Sequence, residues 1–332
     1  MLVAVLGGGQ LGRMLGLAGI PLGLRFRFLD PSPEAPAAAV GELVVGGFDD
    51  PGALEGVARG AEVVTYEFEN VPGAPVRGLA ERVPVLPPPG ALEAAQDRLA
   101  EKRLFERLGI PVAPYAPVDG GADLPGAIEA VGLPAVLKTR RLGYDGKGQA
   151  VLRVAADAPR AWEAVGGAPS ILEALVAFDR ELSVLAVRGR DGEVRVYPPV
   201  ENVHREGILR ISRAPAPGLG GAIREAASSY AHRVLEDLGY VGLLAIELFE
   251  AGGVLLANEI APRVHNSGHW TIEGAATSQF ENHLRAVVGL PLGGTEARGH
   301  AAMVNLIGRV PDPSRLLAVP GAHLHLYGKA PR

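Results

Sequence analysis

Hydrophobic positions in the first hundred residues come in short runs separated by helical stretches. The run Leu2–Leu6 leads into the turn Gly7-Gly8-Gly9-Gln10-Leu11-Gly12 and then a helix-like stretch from Arg13 to Ala18. A second strand is expected at Leu24–Leu29, ending at Asp30, and further apolar runs stand at Glu42–Val45, Glu62–Tyr66 and Pro84–Leu86. Strands alternating with helices imply a parallel sheet covered on both faces. Pro87-Pro88-Pro89-Gly90 reads as a linker. Beyond it, Leu92, Ala95, Leu99, Leu104 and Leu108 fall near helical spacing, which predicts one helix over Ala91–Leu108 that stops at Gly109.

From Ile110 to about Val176 the predicted strands are short: Ala135–Lys138, Gln149–Arg153 and Ser170–Glu173, with one glycine-rich loop among them. Longer strand candidates follow from Arg180: Glu181–Val187, Glu193–Tyr197, Leu243–Phe249 and Val254–Ile260. A helix over Ala222–Leu238 separates the two pairs and stops at Gly239. No internal repeat is visible. The expected class is α/β and α+β, in three parts: a parallel α/β domain over 1–90, a linker helix with a small central domain over 91–178, and an antiparallel-sheet domain over 179–332.

Composition narrows the function classes. The 332 residues are 48% hydrophobic and 21% charged, which excludes a disordered or fibrous chain. A net charge of −5 gives no general pull toward nucleic acid or an anionic membrane. No apolar run reaches the roughly 20 residues that span a bilayer, and no basic segment precedes the short apolar start, so no signal peptide is expected. The absence of cysteine rules out disulfides, thiolate-bound zinc and a thiol nucleophile. A cytoplasmic enzyme is the expectation. Only four basic residues are lysine (Lys102, Lys138, Lys147 and Lys329), so each is a candidate for a specific role.

Gly7, Gly9 and Gly12 fit G-x-G-x-x-G between a strand and a helix, and Asp30 ends the next strand about 18 residues later. That is the dinucleotide fingerprint, with the acid on a ribose hydroxyl. The other reading is a tight strand-to-helix turn that binds a different phosphate-bearing or polar ligand.

A denser constellation lies further on. Lys138 ends a short strand and precedes Gly143-Tyr144-Asp145-Gly146-Lys147-Gly148-Gln149, a loop able to lay backbone N–H groups over phosphate oxygens. Glu173-Ala174-Leu175-Val176 and Glu181 suit a hinge holding an adenosine, or simply two exposed strand glutamates. Two apolar strands each carry an acid, Glu247 and Glu259, and are joined by Glu250-Ala251-Gly252-Gly253. A three-residue loop would put both acids on one face; a two-residue loop would put them on opposite faces. Carboxylates in such strands are costly to bury without a cation, and hard oxygen ligands beside a phosphate loop point to magnesium. Pairing with arginine alone is the alternative. Immediately after come Arg263, His265, Asn266, Ser267 and His269, a polar density unusual for a structural loop.

This order of features resembles the ATP-grasp superfamily: a Rossmann-like domain, a small lid domain and a C-terminal antiparallel domain. More narrowly, Gly9-Gln10-Leu11-Gly12-Arg13, Gly143–Gln149 and Asn258-Glu259-Ile260-Ala261-Pro262-Arg263-Val264-His265-Asn266-Ser267-Gly268-His269 resemble the N5-carboxyaminoimidazole ribonucleotide synthetase family. The resemblance runs over nearly the whole chain. It implies an ATP-dependent carbon–nitrogen ligase of de novo purine synthesis, in which ATP and bicarbonate form carboxyphosphate and its carbon passes to the amine of aminoimidazole ribonucleotide. ATP and Mg2+, or Mn2+ in its place, are the implied cofactors, and the implied assembly is a homodimer without nucleic acid or membrane.

The resemblance also implies residue roles. Arg98, Lys138 and Gly143, Tyr144, Asp145, Gly146, Lys147, Gly148 and Gln149 would hold the ATP phosphates. Glu173, Ala174, Leu175 and Val176 would line the adenine, Glu181 would take the ribose, and His204 would lie at the nucleotide. Glu247 and Glu259 would bind the metal, with Asn258 alongside. Arg263, His265 and Asn266, with Tyr144 and Asp145, would surround the carboxyphosphate and the amine. Gln10, Leu11 and Glu67 would contact the ribonucleotide, leaving Asp30 without a cofactor role. Lys329 and Arg332 match cations that begin a phosphate-binding segment, after which the family chain is expected to continue with an Arg-Lys pair and terminal strands. Two rival readings are a formate-using glycinamide ribonucleotide ligase and, from another class, a nicotinamide oxidoreductase. A third is a shortened paralogue that only binds nucleotide.

Overall fold

A computed structural model describes residues 1–143, 147–308 and 310–328. The chain folds as two compact units: Met1–Val85 together with the chain from Met303, and Leu86–Ala302. Three parts were expected, at 1–90, 91–178 and 179–332; the second unit joins 91–178 to 179–302, and the chain from Met303 groups with the first.

In the first unit four parallel strands, β1 (Leu2–Leu6), β2 (Arg25–Asp30), β3 (Glu42–Val45) and β4 (Val63–Tyr66), stand in the order β3-β2-β1-β4. The central strand β1 is buried almost throughout, as a parallel strand with both faces covered must be, and β4 beside it is buried at all four positions. The helix Gln10–Gly19 packs through Leu11, Met14 and Leu15, spaced three and four apart. Pro84–Leu86, read as a strand, contributes only a single bridge from Val85 to Val64.

The second unit opens with two helices where the periodicity predicts one. Pro89–Gln96 ends at Asp97, whose backbone is extended at φ −129°, ψ 109°, and Arg98–Arg107 starts anew. The cause is local: the Asp97 side chain accepts hydrogen bonds from the N–H groups of Leu99 (3.0 Å) and Ala100 (3.3 Å), which caps the second helix. Next come β5 (Tyr115–Val118), β6 (Ala135–Thr139), β7 (Gln149–Leu152) and β8 (Ser170–Ala174). They form an antiparallel sheet in the order β5-β8-β6-β7. Helices Leu124–Val131 and Ala158–Ala164 close a small core of its own around Leu137, Leu152 and Leu172.

The larger sheet holds β9 (Arg180–Arg188), β10 (Val194–Val196), β11 (Val200–Arg205), β12 (Ile208–Ala214), β13 (Gly242–Ala251), β14 (Val254–Ala261) and β15 (Ala301–Val304). Its order is β14-β13-β9-β11-β12-β15, with β10 paired to β9. β5, β11, β12 and β15 have no counterpart among the predicted strands. One face of this sheet packs against the helix Gly221–Asp237, which buries Ala227, Tyr230, Ala231, Val234 and Leu235 along a single stripe.

Candidate active site

Alternation divides the large sheet into an apolar face and a polar one. Leu182, Val184, Ala186, Leu244, Ile246 and Leu248 join the apolar core. The opposite face is set by the pairings Glu259↔Glu247, Glu247↔Ser183, Glu181↔Asn202 and Asn202↔Ser212. Directly paired residues point the same way, so two rows of polar side chains line that face.

The acid pair corrects the loop argument made from sequence. The hairpin loop is two residues, Gly252 and Gly253, with φ of 56° and 78° between the paired Ala251 and Val254. A regular ladder from that loop would separate the acids onto opposite faces. They nevertheless face each other, because Asn258 is the extra residue of a β-bulge between the pairs Leu248↔Ala257 and Glu247↔Glu259.

The helix Arg98–Arg107 grips this bulged edge strand. Arg98 Nη1 lies 2.7 Å from Glu259 Oε2. The buried Glu101 accepts the Ile260 N–H at 2.6 Å, and Lys102 Nζ donates to the Asn258 carbonyl at 2.8 Å. Thus the free backbone groups of an edge strand are satisfied by side chains one turn beyond Arg98. Lys102 and Lys138 each lie 3.2 Å from Glu173 Oε2, forming a buried Lys–Glu–Lys cluster. Glu173 is 4% exposed, so the reading of an exposed strand glutamate does not hold. Asp97, besides capping the helix, pairs with Arg140 (2.8 Å) and Arg141 (3.2 Å).

Electrostatics follow these contacts. Desolvation alone would raise the Glu259 carboxyl, but the charge and hydrogen bond of Arg98 outweigh it and hold it at about 2. Burial pushes Lys138 down, although Glu173 opposes the shift. Burial also raises Glu173, but Lys102 and Lys138 bring it below the ordinary carboxylate range. His265 is held down at about 3 by desolvation and the nearby Arg263 guanidinium. His204 pairs with Glu181, whose carboxylate raises it above its ordinary value despite burial.

His265 Nε2 lies 3.3 Å from Glu247 Oε1, so the loop after β14 meets the acid pair. Gln279 fixes that loop, accepting the His265 N–H at 3.0 Å and donating to its carbonyl at 2.6 Å. Arg263 Nη1 donates to the Val264 carbonyl at 3.0 Å. On the lid side, Thr139 N–H donates to the Gly148 carbonyl at 2.8 Å, which closes the glycine loop at its base. Gly143 borders Thr139, Lys147 is exposed, and Gln149 begins β7. Ala174, Leu175 and Val176 follow Glu173, with the Leu175 N–H on the Pro134 carbonyl at 3.0 Å. Tyr144, Asp145, Gly146, Lys329 and Arg332 lie outside the described residues.

Two carboxylates facing each other suit magnesium, which takes one or two carboxylates and completes its shell with phosphate and water. Among the described residues, the side-chain oxygens Asn258 Oδ1, Asn266 Oδ1 and Glu173 Oε1 are buried without a hydrogen-bond partner. Buried acceptors of this kind await a donor or cation. The site therefore fits a metal–nucleotide.

The glycine turn of the first unit has its own acids. Gly8 N–H donates to Asp30 Oδ2 at 2.9 Å, so Asp30 braces the turn. A Cβ on Gly7 or Gly9 would run into a Glu67 carboxylate oxygen. Here glycine admits a carboxylate, and a dinucleotide pyrophosphate at that place would meet like charge. Gln10 starts the helix beside it and Leu11 is buried.

Sequence reasoning missed Glu101, Ser183 and Gln279, and named Lys102 only as one of four lysines. The rarity of lysine was the usable signal for Lys102; nothing local marks the others.

Comparison with known proteins agrees in order and extent. Family models match along the chain: a ribonucleotide synthetase preATP-grasp domain at residues 1–96, an ATP-grasp domain at 103–280 and a phosphoribosylaminoimidazole carboxylase C-terminal domain at 301–332. The N5-carboxyaminoimidazole ribonucleotide synthase of Pseudomonas aeruginosa is 55% identical over 330 residues, covering 99% of this chain and 91% of that one. The chain belongs to the N5-carboxyaminoimidazole ribonucleotide synthase family. It is an ATP-dependent ligase of the ATP-grasp type. The crystal structure of the synthetase from Thermus thermophilus superposes at a TM-score of 0.96 with 62% identity, covering all of this chain and 90% of that one. The Aspergillus clavatus synthase, solved with ADP and 5-aminoimidazole ribonucleotide, superposes at 0.92 with 33% identity, covering 99% and 90%. Among the described residues no helix is long and apolar enough to cross a membrane.

Proposed function

We propose that this chain carboxylates the exocyclic amine of 5-aminoimidazole ribonucleotide, using ATP and bicarbonate and releasing ADP and phosphate. The observation that carries the reading is the acid pair Glu247–Glu259 on one sheet face, with Arg98 and the Lys138–Glu173–Lys102 cluster alongside it. In the first step a bicarbonate oxygen bonds to the γ-phosphorus and the bond to ADP breaks, giving carboxyphosphate. In the second, the amine nitrogen bonds to the carboxyl carbon, phosphate leaves with the bridging oxygen, and the amine gives up a proton.

Phosphoryl transfer asks for positioning and neutralisation of charge more than for covalent help. Arg98, Lys138 and the loop Gly143–Gln149 hold the phosphates. Glu247 and Glu259, with Asn258 alongside, hold magnesium or manganese, which neutralises phosphate charge when bound. Glu173 to Val176 border the adenine, Glu181 takes the ribose, and His204 lies at the nucleotide. Arg263, His265 and Asn266, with Tyr144 and Asp145, surround the carboxyphosphate and the amine. Gln10, Leu11 and Glu67 receive the ribonucleotide, with Lys329 and Arg332 at its phosphate. Carboxyphosphate hydrolyses readily, so the β5–β8 domain with its glycine loop serves as a lid that excludes water. A homodimer in the cytoplasm is the proposed setting.

The test measures ADP release with bicarbonate present, adding or withholding the ribonucleotide. Ribonucleotide-dependent release that matches the carboxylated product supports the reading. Release that tracks formate and another amine, or none at all, overturns it.

A further inference from the structure

Four buried polar side chains run across the polar face of the large sheet to His265. Ser212 Oγ donates to Asn202 Oδ1 at 2.8 Å, Asn202 Nδ2 donates to Ser183 Oγ at 3.0 Å, and Ser183 Oγ donates to Ser267 Oγ at 2.8 Å. Ser267 Oγ in turn lies 2.9 Å from His265 Nδ1. None of the four is more than 5% exposed. Three of them come from separate strands, and Ser267 comes from the turn Asn266–Gly268 that follows β14.

Two obligatory donors give this chain a single direction. The Asn202 amide nitrogen cannot accept, so Ser183 receives its hydrogen bond and gives its own hydrogen to Ser267. At the other end the backbone N–H of Ser267 points at His265 Nδ1, 3.3 Å away. A backbone N–H also cannot accept, so Nδ1 carries no hydrogen. The Ser267 hydroxyl, already an acceptor from Ser183, gives its hydrogen to the same nitrogen. The ring hydrogen is therefore on Nε2, the atom 3.3 Å from Glu247 Oε1.

We infer that Ser183, Asn202, Ser212 and Ser267 are positioning residues that hold His265 in its Nε2–H form, making it a hydrogen-bond donor on the reacting side of the sheet. A histidine so held offers no basic nitrogen there: its lone pair faces the serines, and its hydrogen faces Glu247 and whatever binds beside it. The inference rests on the proposed function, in which His265 stands at the carboxyphosphate; as a donor it would favour the charge that grows on the carboxyl and phosphoryl oxygens.

The direct test is nitrogen NMR of the full chain labelled at histidine, with the His265 signals assigned by their loss in His265→Gln. A protonated Nε2 and an unprotonated Nδ1 are expected, and the reverse assignment would overturn the inference without any further variant being needed. Ser267→Ala removes a link of the chain and should leave a mixture of ring forms with kcat about tenfold lower, the worth of one such hydrogen bond. KM for ATP should hold, and Ser267→Thr, which keeps the hydroxyl, should restore both signals and turnover. An unchanged ring form and unchanged kcat in a folded Ser267→Ala would also overturn it. The ring form is read without substrate, so a chain that fails to carboxylate the ribonucleotide yet shows protonated Nε2 refutes the proposed function and not the relay.

Discussion

The glycine turn of the first unit and the β13–β14 hairpin of the second both use glycine to bring carboxylates into place, and they are legible in opposite ways. The turn carries a spacing pattern that names a dinucleotide site, yet the side chain over Gly7 and Gly9 is Glu67, and Asp30 is engaged with Gly8. The hairpin carries no such pattern, and its two-residue loop would by itself part the acids that the bulge at Asn258 brings together. A glycine motif reports how closely a backbone can be approached. Which charge approaches decides the ligand.

The largest effect should come from the hairpin. Glu259→Gln removes one carboxylate of the facing pair and the partner of Arg98, and turnover should fall at least a hundredfold, about 3–4 kcal/mol of transition-state stabilisation. Lys138→Ala should match it, while KM for the ribonucleotide stays near that of the parent. Near-normal turnover in folded Glu259→Gln would detach the hairpin from the chemistry, and in folded Lys138→Ala it would remove Lys138 from the phosphate site.

His283 tests how firmly the hairpin is anchored. Its Nδ1 accepts the N–H of Leu243 on β13 at 3.1 Å, and burial pushes the ring down to about 4. The unfolded chain protonates this ring near 6.5, so the folded state gains from it fully above that pH. The gain is lost as pH falls from about 6.5 toward 4, of order 3 kcal/mol in all. Urea unfolding from pH 7 to 4.5 should show a steeper loss for the parent than for His283→Gln; parallel curves would contradict this.

The turn should respond differently. Gly9→Ala forces Glu67 aside, and KM for the ribonucleotide should rise about tenfold, the loss of one charge-assisted contact, with KM for ATP unmoved. A matched rise for ATP would erase the distinction between the two regions. The smallest effect is expected at Asp97→Asn, which keeps a capping oxygen for the N–H groups of Leu99 and Ala100 but drops the charge facing Arg140 and Arg141. It should cost about 1 kcal/mol in thermal unfolding, with turnover falling only as far as Arg98 shifts.

The β-α alternation and the glycine, lysine and acid motifs were legible because each is local in sequence. The strands β11 and β12 were not, since Val200–Ala214 sets Asn202, His204, Arg210 and Ser212 along a polar face and pairs Glu201 with Arg213 on the other, which weakens the apolar signal. Those same polar residues furnish His204 and the serine–asparagine chain. The split at Asp97 was hidden because apolar spacing continues through it, and only the cap shows the break. Lys102 stood out only by the rarity of lysine and Glu101 not at all, because their burial depends on a strand far along the chain, bonded through Ile260 and Asn258.

The central claim is that ATP phosphorylates bicarbonate before the amine is carboxylated, and oxygen labelling reads this directly. With bicarbonate carrying heavy oxygen, the account predicts one labelled oxygen in each phosphate released, in step with ADP and carboxylated ribonucleotide. Phosphate without label, while product still forms, would mean that bicarbonate was never phosphorylated and would contradict the account.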